Sequence, residues 1–338
     1  MSSSDVSTAF ALTIAAGSAT VLGGCVVFHK RLVHLANPLS LAIALSLSAG
    51  VMLFISLVEI YSEAVHLLHD GLRTSEMSEK TANGHAQLAA TACFAGGIVL
   101  LYLVDAVVHH LAPHVHDATA EYDGLAQLRH SYERISQRQA SRRALQAHGD
   151  EESGEYVGQQ TPGTGETGEK EGVKDMDAQR RAELQRMSLL SAFALALHNF
   201  PEGIATFVAA KRDSNVGVSL AIGIGLHNIP EGIAVAAPIY FATGSRWRGL
   251  LWCAVSAAAE PLGGVLAWLV LGDGLNPVAE GVLFGLICGI MVGISIKELL
   301  PTAYRFAGEP QQHLVALGVF GGMFVMVTSL ILFGYAGA

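Results

Sequence analysis

Eight apolar blocks divide this sequence, at approximately 6–29, 38–66, 86–110, 187–211, 216–241, 248–271, 277–304 and 312–336. Each is about as long as a helix must be to cross the roughly 30 Å of hydrocarbon in a bilayer. Hydrophobic residues make up 51% of the chain and charged residues only 14%, whereas a soluble domain carries about 25% charged residues. The fold expected is an all-α polytopic membrane protein with eight transmembrane helices. The first block follows a short serine-rich start that lacks a basic segment, so it reads as a retained helix and not as a cleaved signal peptide.

The blocks divide the chain into three regions. Residues 1–110 carry helices one to three, 111–186 form one long hydrophilic segment, and 187–338 carry helices four to eight. The middle region holds ten Lys/Arg and fourteen Asp/Glu but few apolar side chains, a composition that cannot bury a core and predicts a largely disordered loop. Arg180, Arg181 and Arg186 flank the fourth block, and positive charge beside a span favours the cytoplasmic side. That places the loop inside and both termini outside. The net charge of -9 gives no reason to expect nucleic acid as a partner. Cys25, Cys93, Cys253 and Cys288 all fall inside apolar blocks without a CxxC pair, which argues against a disulfide framework or a thiolate zinc cage.

An internal repeat relates the ends of the chain. Gly50-Val-Met-Leu-Phe-Ile-Ser-Leu-Val-Glu59 in span two matches Gly289-Ile-Met-Val-Gly-Ile-Ser-Ile-Lys-Glu298 in span seven, at an offset of 239. Leu22-Gly23-Gly24 matches Leu262-Gly263-Gly264 at an offset of 240, and Gly96-Gly97 resembles Gly321-Gly322. Spans two and seven run in opposite directions, so the match predicts inverted-topology repeats, the arrangement many secondary transporters place around a midplane site.

Spans four and five carry nearly the same octapeptide, His198-Asn-Phe-Pro-Glu-Gly-Ile-Ala205 and His227-Asn-Ile-Pro-Glu-Gly-Ile-Ala234. Charged side chains at the centre of a span cost at least about 2.5 kcal/mol each and mark function. In each motif His and Glu stand at i and i+4, on one helical face. His198, Glu202, His227 and Glu231 can therefore oppose one another as four ligands, and imidazole with carboxylate suits zinc and other first-row divalent ions. Asn199 and Asn228 can add carbonyl oxygens to an adjacent position. Pro201 and Pro230 remove backbone donors within the helices, which membrane helices tolerate where they line a cavity or are buried in protein.

Glu260, followed by Pro261 in span six, is the next candidate ligand, able to add a carboxylate to the Asn-containing position. Glu59 and Glu298 fall late in spans two and seven, near opposite faces, as candidate entrance and exit carboxylates. His66 and His69 at one end of span two, and His109 and His110 at the end of span three, are candidate capture and release sites, since clustered imidazoles bind zinc.

On the motifs HNFPEG (198–203), HNIPEG (227–232), AEPLGG (259–264) and KELLP (297–301), the chain resembles the ZIP (Zrt-, Irt-like protein) family of metal transporters. The resemblance covers all eight spans but not the long loop. It implies a 3+2+3 inverted-repeat arrangement, termini outside, a cytoplasmic loop after span three and a binuclear centre on spans four and five. In that centre His198, Glu202, His227 and Glu231 would form the first position and Asn199, Glu202, Asn228, Glu231 and Glu260 the second. It further implies zinc import toward the cytosol, with iron, manganese, cobalt or cadmium as other cargoes, and a homodimer. The membrane expected is the plasma membrane, with an organelle membrane as the alternative.

Two other functions fit intramembrane His and Glu residues. A membrane metalloenzyme would need an HExxH-type helix with an open coordination position, whereas here Asn, an apolar residue and Pro separate His from Glu; the expectation is that the chain is not an enzyme. A metal-gated channel or sensor differs from a carrier in the saturation of its flux, which no residue pattern encodes.

Overall fold

The computed structural model describes residues 3–29, 37–111, 178–271 and 276–336. These are helical almost throughout. We number eight long helices in chain order. They are α1 (Ser3–Gly24), α2 (Pro38–Leu72), α3 (Glu79–Leu111), α4 (Ala178–Arg212), α5 (Ser214–Thr243), α6 (Arg246–Ala257, resumed after a turn at Ala258 as Ala259–Leu271), α7 (Pro277–Ala307) and α8 (Gln312–Ala336). Seven of them are long and apolar enough to cross a membrane. The remaining one, α4, begins ahead of its apolar block with Arg180, Arg181 and Arg186 and carries the HNFPEG motif. Most of the proposed 111–186 loop, including His114 and His116, lies outside the described residues.

The helix ends follow local chemistry. Asn37 and Asn276 cap α2 and α7, their side-chain oxygens accepting from Ser40 N at 2.9 Å and Ala279 N at 2.8 Å, and a proline occupies the first helical position after each. Such caps satisfy backbone donors that the first turn leaves unpaired. The two Asn-Pro starts are themselves 239 residues apart, extending the sequence repeat. Gly244 and Gly308, both at φ 69°, end α5 and α7 in a left-handed backbone conformation that glycine adopts without penalty.

Two packing groups emerge. Helix α1 packs most heavily on α5, and α4 packs on α5 and α6; α7 packs on α3 and α2, and α8 packs on α2. Glycines set these approaches in repeat-related pairs. A Cβ at Gly50 would overlap the Val319 carbonyl of α8, and one at Gly289 the Phe94 carbonyl of α3. Gly97 and Gly322 face Leu286 and Leu47 backbone in return. Gly23 rests on the Ile229 carbonyl and Gly263 on that of Phe200, so each double glycine seats a helix against one HNxPEG motif.

The repeat extends to a local distortion. Residues Ile55–Ile60 of α2 and Ser295–Leu299 of α7 are π-helical, and the 239-residue offset carries the first segment onto 294–299. Ser56 and Ser295 donate to Met52 O at 2.7 Å and Met291 O at 2.9 Å, again equivalent atoms. A π-turn inserts a residue into the helix and re-aims the side chains beyond it, commonly at functional sites. Glu59 and Glu298 lie inside these two turns. All four cysteines are free thiols; those of Cys253 and Cys288 donate to Gly232 O at 3.3 Å and Ser56 O at 3.0 Å, a packing role.

Gly50→Ala and Gly289→Ala should each destabilise the detergent-solubilised protein by about 1–3 kcal/mol, the usual cost of overpacking, whereas Gly84→Ala, with open space around its Cβ position, should not. Thermal unfolding of the three variants checks this, and equal midpoints would contradict the close backbone approach.

Candidate metal centre

Helices α4 and α5 bring their motifs together at one depth. His198, Asn199, Glu202, His227, Asn228, Glu231 and Glu260 are all buried, and all but His198 are fully so. Such burial is costly for ionised groups unless they are paired. Among the described residues Lys297, next to Glu298 in sequence, pairs with Asp105, and Arg212 lies 3.5 Å from Glu63 and 3.3 Å from Glu280.

His227 shows how the geometry prepares a ligand. Its Nδ1 lies 3.1 Å from Gly223 O. A carbonyl only accepts, so Nδ1 carries a proton, which leaves Nε2 as the nitrogen that can take a cation when it carries no proton of its own. That Nε2 faces Glu202 Oε1 at 3.1 Å. Lone pair and carboxylate repel unless a proton or a cation lies between them.

The two asparagines are fixed by a matching pair of bonds. Asn199 Nδ2 donates to Ser256 O at 3.4 Å, and Asn228 Nδ2 donates to Ala16 O at 3.2 Å and to Glu260 Oε1. Ala16 and Ser256 are 240 residues apart, so positions related by the sequence repeat supply the carbonyls that the two motif amides use. With each NH2 so occupied, the amide oxygens point the other way. Asn199 Oδ1, Asn228 Oδ1, Glu202 Oε2, Glu231 Oε2 and Glu260 Oε2 are all buried without a hydrogen-bond partner. Buried oxygens left without a partner on these candidate ligands are open to a divalent cation.

Glu231 Oε1 accepts from Ser48 Oγ at 3.2 Å, and the same hydroxyl lies 3.2 Å from His227 O. Ser48 is on α2, in the other packing group, and no sequence signal marks it, because a lone serine in an apolar span carries no pattern. His198 Nε2 lies 3.4 Å from Glu298 Oε2, so the π-turn of α7 brings this glutamate up to the edge of the centre. Among the described residues no group of three or more His, Cys, Asp or Glu side chains is placed so that it could hold a metal ion as it stands.

The remaining candidates are dispersed. Glu59 Oε1 accepts from Ser219 Oγ at 2.9 Å, beside a pocket of about 360 Å³ that Glu63, Asn215 and Phe284 also line. His66 and His69 lie 3.5 and 3.3 Å from Asp70 within α2, and His69 Nε2 lies 3.2 Å from Glu79, a contact that joins the end of α2 to the start of α3. His110 is exposed near the end of α3, and His109 is helical.

The family model described as ZIP Zinc transporter matches residues 3–330 of the chain. The Zinc transporter ZupT of Corynebacterium efficiens is 37% identical over 330 residues, covering 98% of each chain. Those of Clostridium perfringens and Streptococcus mutans are 33% and 32% identical over 326 residues, covering 96% of this chain and 95% and 97% of their own.

Combined His198→Ala and His227→Ala substitution should weaken zinc binding by more than about tenfold, the scale on which even outer-shell losses act, while leaving the protein inserted. Calorimetric titration of the purified protein checks this; unchanged affinity would remove both imidazoles from the centre.

Proposed function

The chain belongs to the ZIP zinc transporter family, and from that premise we propose that it carries zinc across the membrane toward the cytosol by alternating access through a binuclear centre. Helix α4 is the eighth span in this reading, and the helices group as 3+2+3 with both termini outside. The 111–186 segment is a cytoplasmic loop joining the two membrane regions, 1–110 and 187–338. The protein sits in the plasma membrane as a homodimer. Iron, manganese, cobalt and cadmium are further cargoes.

The observation that carries this reading is the set of five unpartnered oxygens on Asn199, Glu202, Asn228, Glu231 and Glu260, on the two helices whose His227 Nε2 and Glu202 Oε1 stand 3.1 Å apart and on the neighbouring α6. His198, Glu202, His227 and Glu231 hold the first cation. Asn199, Asn228 and Glu260 hold the second, with Glu202 and Glu231 shared between the two. A cation reaches the centre past Glu59 and leaves past Glu298. Imidazole and carboxylate exchange zinc readily only if no state encloses it permanently, and the π-turns give Glu59 and Glu298 alternative aims without breaking their helices. The motifs lack the HExxH spacing of a zinc hydrolase, and the family comprises transporters, so the role is passage and not chemistry.

In proteoliposomes the purified protein should take up zinc with saturation at low concentration, and excess iron, manganese or cadmium should compete. Flux that rises linearly with zinc would favour a channel, and no flux would overturn transport. The orientation has its own test, in a background without the four native cysteines. Glu59→Cys should react with an impermeant thiol reagent from outside and Glu298→Cys from inside, and zinc should change both rates because it shifts the population between access states. Labelling of both from one side would overturn the topology.

A further inference from the structure

Hydroxyl groups on membrane helices ordinarily donate to the carbonyl three or four residues back. Eight Ser and Thr side chains are fully buried among the described residues. Thr13, Ser46, Ser56, Thr206 and Ser295 make that local bond, and Ser48 bonds to the centre. Thr20 Oγ1 and Ser256 Oγ have no partner. For Thr20 the cause is visible: the carbonyl four residues back is that of Ala16, which Asn228 occupies.

Both residues lie on main chain that touches the oxygen-bearing ligands or their neighbours. Thr20 shares a strip of α1 with Ala16 and Gly17. A Cβ at Gly17 would stand 3.3 Å from Glu260 Cβ and 3.4 Å from its carboxyl carbon, and the Thr20 backbone meets Gly232, one turn beyond Asn228. Ser256 stands four residues before Glu260, and its carbonyl holds Asn199. Under the 240-residue offset Thr20 is the counterpart of Glu260 itself. The inverted repeat thus sets a hydroxyl on one side of the second position where it sets a carboxylate on the other.

We propose that the hydroxyls of Thr20 and Ser256 belong to the shell of the second metal position and, by making that shell all-oxygen, bias it toward a harder divalent cation than the imidazole-containing first position takes. The proposal rests on the binuclear reading above. Carboxylate, carbonyl, hydroxyl and retained water suit manganese, whereas imidazole suits zinc. Either hydroxyl can bind the cation directly or hold a water that the cation keeps; both place oxygen where a valine or alanine would place hydrocarbon.

The test uses the full chain in detergent, loaded with one equivalent of zinc and titrated with Mn2+, free manganese being read from its six-line electron paramagnetic resonance signal. Wild type should bind one Mn2+ per chain. Thr20→Val with Ser256→Ala should weaken that binding by about tenfold and leave first-equivalent zinc affinity within about twofold, while Thr20→Ser should bind as wild type does and so exclude a packing defect. Glu260→Ala should abolish manganese binding. If Glu260→Ala abolishes it and the double hydroxyl variant binds normally, the hydroxyl assignment falls and the second position stands. If wild type binds no Mn2+, or Glu260→Ala has no effect, the second position falls as well.

Discussion

Two hydrogen bonds hold this structure to its purpose, those from Asn199 and Asn228 to the backbone carbonyls of Ser256 and Ala16. An amide side chain at membrane depth satisfies its NH2 before anything else, and doing so decides where its oxygen points. Reaching those carbonyls demands that α1 and α6 lie almost in backbone contact with α5 and α4. Gly23, Gly263, Gly203 and Gly232 are what permit it, since each abuts a neighbouring main chain that a side chain would displace. The motif glycines and the double glycines are two halves of one requirement.

A second set of helices frames this unit. Around α2 and α7, the close approaches of Gly50 to α8 and Gly289 to α3 repeat each other, as do the asparagine caps and the π-turns. Across the boundary between the two groups, polar contacts fall at the places the proposed function needs them. Ser48 reaches Glu231 and the His227 carbonyl, Ser219 reaches Glu59, and Glu298 reaches His198. Arg212 ties the end of α4 to Glu63 and Glu280. Within each group the closest approaches are of main chain at glycines, whereas contacts between groups include side-chain bonds that can be exchanged for water or a cation.

Much of this was legible from residues alone. The spans declare themselves because hydrocarbon permits no polar interruption, and HNFPEG with HNIPEG declare themselves because buried charge is too costly to be incidental. The ten-residue match around Glu59 and Glu298 pointed to the repeat. What stayed hidden was carried by geometry without a residue signature. A π-turn costs one residue of register and leaves no composition signal, so the 3.4 Å approach of Glu298 to His198 could not be read from the residues. Thr20, Ser48 and Ser256 are single hydroxyls in apolar runs, and only the occupation of the Ala16 carbonyl distinguishes Thr20 from Thr13.

The repeat is imperfect where it matters most. Thr20 stands opposite Glu260, and Ser48 has Ile287 as its counterpart under the 239-residue offset. Under the proposed alternating-access reading, a carrier whose halves matched strictly would meet its cargo through identical chemistry in either access state. With a hydroxyl in place of a carboxylate and a serine in place of an isoleucine, the two states would hold the cargo with different affinity, while the direction of net flux would still follow the cation gradient.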